Sequence, residues 1–455
     1  MAAGPLKPKS TPFAIPTGRL SRLARLGSLA SGVAGGMLAE GARQLAQGRR
    51  PKVSDLLLTP ANARRVAEEL AQLRGAAMKV GQLLSMDAGD LLPPELRDIL
   101  SRLRSDARSM PMSQLVAVLN AHWGQGWEQQ FQQFSFTPMA AASIGQVHAA
   151  RDLDGRRLAI KVQYPGIRQS ISSDVDNVAS LLRLSGLLPK TLDIQPLLDE
   201  AKRQLHAEAD YRIEAAHLTR FRALLADHTD FLLPEVQEPL TNAQILVMSH
   251  VEGEPVEALA HASQAERDRV ASLLFELLFR ELFEFHLVQT DPNFANYRYD
   301  LASRRLILLD FGATRTYAPA TVSAYRQLME SAARGERAGI AEAAEAIGYF
   351  QAGIRADHHR AVLDIFEVAC EPLRQAGPYD FGRSNLATRI RDAGLILGMD
   401  RDFWHTPPAD ALFLHRKLGG LYLLAATLGA RVDVGALLHK QLEHALNAYK
   451  VSVLS

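Results

Sequence analysis

The stretch that most restricts how this chain can fold is Leu306-Ile307-Leu308-Leu309-Asp310-Phe311-Gly312. Four aliphatic residues in a row read as a buried strand, and the Asp-Phe-Gly that follows reads as its turn. The strand therefore ends by presenting a carboxylate, and a buried carboxylate is costly unless a cation meets it. Three residues are a weak signal, so the remaining parts of such a site have to be found elsewhere in the chain.

Composition narrows the search. Of 455 residues, 47% are apolar and 22% charged, the balance of a globular protein long enough for two or three domains, or for one two-lobed domain with additions. A formal net charge of +1 gives no global attraction to nucleic acid. One cysteine, Cys370, excludes an intramolecular disulfide and a multi-cysteine metal centre. Charge is uneven at the start. Residues 1–50 hold Lys7, Lys9, Arg19, Arg22, Arg25, Arg43, Arg49 and Arg50 against Glu40 alone. Two readings stand for this segment: a basic stretch that touches an anionic membrane surface, or a flexible basic tail. The apolar runs Leu26–Ala39 and Leu418–Ala430 are shorter than the roughly 20 residues of a spanning helix.

Taken in order, Thr59-Pro60 reads as a helix start, and Val66, Leu70, Leu73, Ala77, Val80 and Leu84 follow on one face. Lys79 and Gln82 sit near the end of that helix, where a lysine on an apolar face is either snorkelling or functional. Residues 95–133 read as further helix. Next come a strand near Phe134–Phe136, the small-residue loop Ala140-Ala141-Ala142-Ser143-Ile144-Gly145, a two-residue hairpin at Asp154-Gly155, and the strand Arg157–Val162. Period-two alternation puts Leu158, Ile160 and Val162 on one face of that strand and Ala159 and Lys161 on the other. Residues 170–228 read as helical, with Asp210 and Glu214 on one helix face and Lys161 as the natural partner of Glu214. Strands at Phe231–Pro234 and Ile245–Met248 and a helix over 264–288 follow. Asp291 then precedes Asn296 by five residues, and Asp310 lies fourteen further on.

Strand, small-residue loop, strand, tight turn, strand with an inward lysine, Asp-x4-Asn, then Asp-Phe-Gly is the order of parts in a kinase. Three parts depart from that pattern. Alanines stand where a kinase loop has glycines, Gln289-Thr290 replaces the His-Arg before the catalytic aspartate, and no Ala-Pro-Glu follows Asp310. With Lys79-Val-Gly-Gln82, the alanine loop and Glu208-Ala-Asp210, the chain resembles the UbiB (AarF) family of atypical kinase-like proteins, in its ubiquinone-biosynthesis branch.

The resemblance implies an α+β, protein kinase-like bilobal fold with an N-terminal helical extension. The expected divisions are a basic segment 1–50, an extension 51–133, an N-lobe 134–252 and a helix-rich C-lobe 253–455. It implies ATP or ADP and Mg²⁺ as cofactors, with Lys161, Glu214, Asp291 and Lys79 as catalytic residues and Asn296 and Asp310 as metal ligands. Nucleotide contacts fall on Ala140, Ala141, Ala142, Ser143, Ile144, Gly145, Ala159, Lys161, Met248 and Val251, and the family motifs on Gln82, Glu208 and Asp210. The expected partners are ATP, an anionic membrane surface, lipid-like ubiquinone precursors and other ubiquinone-biosynthesis proteins. The expected setting is a bacterial cytoplasmic membrane or the matrix face of a mitochondrial one. Three activities are compatible with these parts: an ATPase or small-molecule kinase, a nucleotide-gated scaffold, and a protein kinase acting in trans.

Overall fold

The computed structural model describes residues 73, 76–77, 79–80, 110–142, 144–184, 194–350, 353–399 and 407–443. The expectations for residues 1–50, for the Thr59-Pro60 helix start, and for Gln82 and Ser143 lie outside the described residues. The chain divides into two compact units, one reaching to Ala215 and including Val236–His250, the other holding Ala216–Glu235 and the chain from Val251.

In the first unit, helix α1 (Met112–Trp123) stops at Gly124, well short of the expected residue 133. Gly124 and Gly126 both take φ +82°, a conformation open to glycine, and these two turns release the chain from the helix. A short 3₁₀ turn over Trp127–Gln130 leads into strand β1 (Phe131–Phe134). Strands β2 (Ala140–Ala141), β3 (Gly145–Asp152) and β4 (Arg157–Gln163) follow. The β3–β4 connection has four residues rather than two, because Asp152 closes it early by accepting from the Arg156 backbone N–H at 2.7 Å. Helices α2 (Ile167–Leu184) and α3 (Gln195–Glu208) come next, and α4 (Tyr211–Leu224) starts after a break at Ala209–Asp210.

That break corrects the single helix expected to carry both Asp210 and Glu214. Asp210 stands at the N-cap of α4, where its Oδ1 accepts from the Arg212 backbone N–H at 3.2 Å. An aspartate whose side chain satisfies a free helix N–H is more stable there than inside a helix. The Arg212 guanidinium also grips both carboxylate oxygens, and this bond holds the Asp210 carboxyl below its ordinary pKa.

After β5 (Phe231–Leu232), which pairs elsewhere, β6 (Ile245–Ser249) completes an antiparallel sheet of order β1-β3-β4-β6, with β2 on the free side of β3. Alternation along β4 comes out as read. Leu158, Ile160 and Val162 join Leu119, Trp127, Phe131, Ile245 and Val247 in one core, while Ala159 and Lys161 face the other way. Trp127 anchors that core, with Phe134 edge-on at 4.9 Å. Truncating a buried tryptophan of this kind costs about 3–5 kcal/mol.

Gly145 opens β3 opposite Gln163. Its φ is not positive, so the reason for glycine is space: a Cβ would lie 2.4 Å from the Val162 carbonyl oxygen and 2.8 Å from the Tyr211 hydroxyl. A backbone carbonyl inside a sheet cannot yield. Gly145→Ala is therefore expected to destabilise the protein by about 1–3 kcal/mol through overpacking, seen as a lowered thermal midpoint without nucleotide. An unchanged midpoint would mean that the strands part at no cost.

In the second unit, β7 (Glu254–Pro255) leads to helix α5 (Gln264–Phe283), whose N-cap Ser263 accepts from the Glu266 N–H at 3.3 Å. The helix ends at Phe283, before the expected residue 288, because His286 takes φ +51° and turns the chain into strand β8 (Leu287–Gln289). Strands β9 (Tyr297–Asp300) and β10 (Arg305–Leu308) form an antiparallel hairpin, β5 joins β10 in parallel, and β7 pairs with β9. Strand β11 (Thr314–Thr316) returns against β8, with Thr314 opposite Gln289. From Pro319 the chain is mostly helical: α6 (Pro319–Arg334), α7 (Arg337–Ile347), α8 (Ala356–Ala369), α9 (Glu371–Arg374), α10 (Leu386–Met399) and α11 (Ala409–Leu428). No helix among the described residues is long and apolar enough to cross a membrane.

Candidate nucleotide and metal site

The polar face of β4 carries the first group. Lys161 is 8% exposed and Glu214, from the first turn of α4, 5%. The lysine Nζ donates to both carboxylate oxygens, at 2.7 and 2.9 Å. Two buried opposite charges with paired hydrogen bonds survive burial where either alone would not. The Tyr211 ring adds a face 5.5 Å from the same ammonium. Beside Lys161 on the strand, Ala159 is in register with Met248 of β6, and both are buried.

The alanine segment is a hairpin arm. Ala140 and Ala141 pair with Val147 and Gln146, and the Ala142 N–H donates to the Gly145 carbonyl at 2.9 Å. Strand geometry suits alanine, so this arm does without the glycines of an open phosphate loop. Ile144 is buried beneath it, its carbonyl accepting from the Tyr164 N–H. Lys79 lies on helical backbone, buried, and its ammonium pairs with Glu208 at the end of α3. Lys79 thus spends its charge on a carboxylate instead of snorkelling to water. Val251 follows β6, where the chain enters the second unit.

The second unit carries the acidic groups. Between β8 and β9, Thr290 is tied down at its N–H and its hydroxyl, both donating to the Ala313 carbonyl at 2.9 and 2.7 Å. Asp291 follows, and its Oδ2 accepts from Asn296 Nδ2 at 3.0 Å. That bond turns the Asn296 amide so that its oxygen is the end directed away from Asp291. The Leu309 N–H donates to the Asn296 carbonyl at 3.1 Å, which sets Asn296 beside the segment carrying Asp310. Asp310 Oδ1 accepts from the Gly312 N–H at 2.9 Å, closing the turn, and Phe311 packs on Phe221 with ring centroids 4.6 Å apart. His217 reaches the Phe311 carbonyl at 3.3 Å, and burial keeps its imidazole below the ordinary pKa.

Asn296 and Asp310 together offer hard oxygen donors on adjacent segments. Among the described residues no cluster of three or more His, Cys, Asp or Glu is arranged to hold a metal. This donor set fits magnesium, which takes one or two protein carboxylates and fills its shell with phosphates and water.

One group was missed from the sequence. Helix α11 brings Arg416 to within 3.0 Å of Asp291 Oδ1, and the next residue, Lys417, donates to Gln289 Oε1 at 3.0 Å and to the Tyr297 hydroxyl at 2.7 Å. Glu281 of α5 stands 3.6 Å from the same ammonium. Burial pushes the Glu281 carboxyl up to about 7 against the opposing pull of Lys417. Burial also works against the Lys417 charge, yet Glu281 and Tyr297 together hold its pKa above the ordinary value. The available signal was His415-Arg416-Lys417 interrupting the apolar stretch of α11 that follows Asp410, whereas Glu281 gave none, because α5 also carries Glu276 and Arg280 close by.

The profile of the ABC1 atypical kinase-like domain matches residues 102–344, more than half of the chain. The chain belongs to this family. It is 37% identical to the Saccharomyces cerevisiae protein "Atypical kinase COQ8, mitochondrial" over 440 residues, covering 96% of this chain and 86% of that one. Identity to the Caenorhabditis elegans "Atypical kinase coq-8, mitochondrial" is also 37%, over 444 residues and 95% of this chain, which spans 58% of the nematode protein. Among solved structures, Mycobacterium tuberculosis Rv3197, determined with erythromycin, is similar at a TM-score of 0.56 and 27% identity, over 81% of this chain and 92% of that one. The fold of this ABC1 family member is therefore α+β and kinase-like, as expected.

Proposed function

We propose that this ABC1 family member binds ATP or ADP with magnesium and uses it, as an ATPase or small-molecule kinase, in support of ubiquinone synthesis at a membrane surface. The observation that carries the reading is the buried Lys161–Glu214 pair, held by two hydrogen bonds. Phosphoryl transfer depends on positioning and charge, and a kinase requires this lysine–glutamate pair in place before it can act. In this reading Lys161 contacts the inner phosphates. Ala140, Ala141, Ala142, Ser143, Ile144 and Gly145 cover them, while Ala159, Met248 and Val251 surround the base. Asn296 and Asp310 hold the metal, which when bound neutralises charge on the phosphates. Asp291 accepts the proton of the attacking hydroxyl or water. The family motifs, Lys79 paired with Glu208 and the residues Gln82 and Asp210, are assigned to excluding a protein substrate, which favours a small or lipid-like acceptor. The basic residues of 1–50 supply the attraction to anionic lipid.

A nucleotide-gated scaffold is the second reading, favoured by the alanine hairpin and by an Asp291 already paired with Arg416. Growth separates the two. In a strain that depends on ubiquinone, Asp291→Asn is expected to abolish growth if that carboxylate serves as a base, whose removal costs about 10²–10⁴-fold in rate. Normal growth with Asp291→Asn, together with no magnesium-dependent ATP turnover by the pure protein on anionic vesicles, would favour the scaffold.

A further inference from the structure

Helix α11 meets the segment between β8 and β9 at four points. Arg416 Nη2 bonds Asp291 Oδ1 at 3.0 Å. The Lys417 ammonium bridges Gln289, the last residue of β8, and Tyr297, the first of β9. One side chain thus ties together the two ends of the loop. A turn further along α11, Gly420 lies against Pro292 so closely that a Cβ would sit 2.2 Å from the proline ring. Leu421 and Leu424 continue the contact across a narrow cavity of about 10 Å³ that Phe294 also lines.

The anchor of this arrangement is electrostatic. Lys417 is buried and its charge is matched by Glu281, so the ammonium has one stable location. With Lys417 fixed, the preceding residue on the helix is directed at Asp291. The Arg416 side chain is only 19% exposed and Asp291 23%, so water competes little for their bond. Kinases place a His-Arg directly before the catalytic aspartate, whereas here those positions are Gln289 and Thr290.

We propose that α11 is the positioning element of the Asp291 loop: Arg416 orients the Asp291 carboxylate, and Lys417 and Gly420 hold the loop ends and Pro292 in register with it. Arg416 acts through Asp291 and is a positioning residue. The catalytic consequence rests on the function proposed above, while the structural one does not. A displaced base loses reaction rate before it loses nucleotide affinity.

The test uses the full chain without nucleotide, with hydrogen exchange of residues 289–297 followed by mass spectrometry. Arg416→Gln is the main variant, because removing Lys417 would strand Glu281 in the interior. Exchange in that segment is expected to quicken by about tenfold in Arg416→Gln, with partial recovery in Arg416→Lys and none of the effect in the exposed control Arg391→Gln. Gly420→Ala, which displaces Pro292, is expected to loosen the same segment. In ATP turnover, Arg416→Gln is expected to lower kcat by about tenfold with KM within about threefold. Loosened exchange alongside a wild type that turns over no ATP would support the positioning role and remove the proposed activity. Exchange at the wild-type rate in both Arg416→Gln and Gly420→Ala would overturn the inference, whatever the activity.

Discussion

Asp310→Asn is expected to lower magnesium-dependent ATP turnover by about 10²–10³-fold while leaving the fold intact. The substitution keeps the size of the side chain and its oxygen, so the bond from the Gly312 N–H, 2.9 Å in the native protein, can still be accepted. The Phe311 anchor on Phe221 is untouched. What disappears is the negative charge beside Asn296. A neutral amide binds a hard divalent cation far more weakly than a carboxylate does. The measurement is therefore paired: ATP turnover, and nucleotide affinity with and without magnesium. The native protein should gain affinity when magnesium is added, and Asp310→Asn should lose that gain while binding nucleotide alone as before. If the variant turns over ATP at the native rate, Asp310 does not hold the metal and the proposed site is wrong at its centre. A thermal midpoint within about 2 °C of native would show that the loss is one of charge.

The parts of the site that could be read from the sequence share one property: each is encoded over a few neighbouring residues. Alternation along Arg157–Val162 is enough to turn Lys161 away from the core, because side chains on a strand repeat every two residues. The five-residue step from Asp291 to Asn296 is likewise local, and the two side chains do meet. Errors arose where a short interruption sits inside a longer pattern. Helical spacing runs through Ala209–Asp210 without a visible break, and it is the capping bond to Arg212, with the Tyr211 N–H turned to the Ala243 carbonyl at 3.0 Å, that divides α3 from α4. Two glycines close together at 124 and 126 were the signal for the end of α1, and apolar spacing alone overrode it. The contribution of α11 was out of reach for a different reason. Arg416 and Asp291 are 125 residues apart, and their meeting depends on the packing of helices rather than on any local preference.

Glu214→Ala is expected to be among the most destabilising single changes in the chain, by about 3–5 kcal/mol. The variant takes from the Lys161 ammonium the carboxylate that holds it at 2.7 and 2.9 Å, in a place where the lysine is nearly cut off from water. The cost comes from the charge that stays behind, more than from the bond that is lost. Removing both charges should therefore be cheaper than removing one. The double variant Lys161→Met, Glu214→Leu fills similar volume with apolar groups and is expected to melt close to the native protein, while Glu214→Ala melts on the order of 10 °C lower. Neither should recover ATP turnover, since the phosphate contact assigned to Lys161 needs its charge. That pattern separates the two duties of the pair. Equal melting of the single and double variants would mean that Lys161 reaches water or another partner when Glu214 is gone. Turnover in the double variant would sink the assignment of Lys161 to the phosphates.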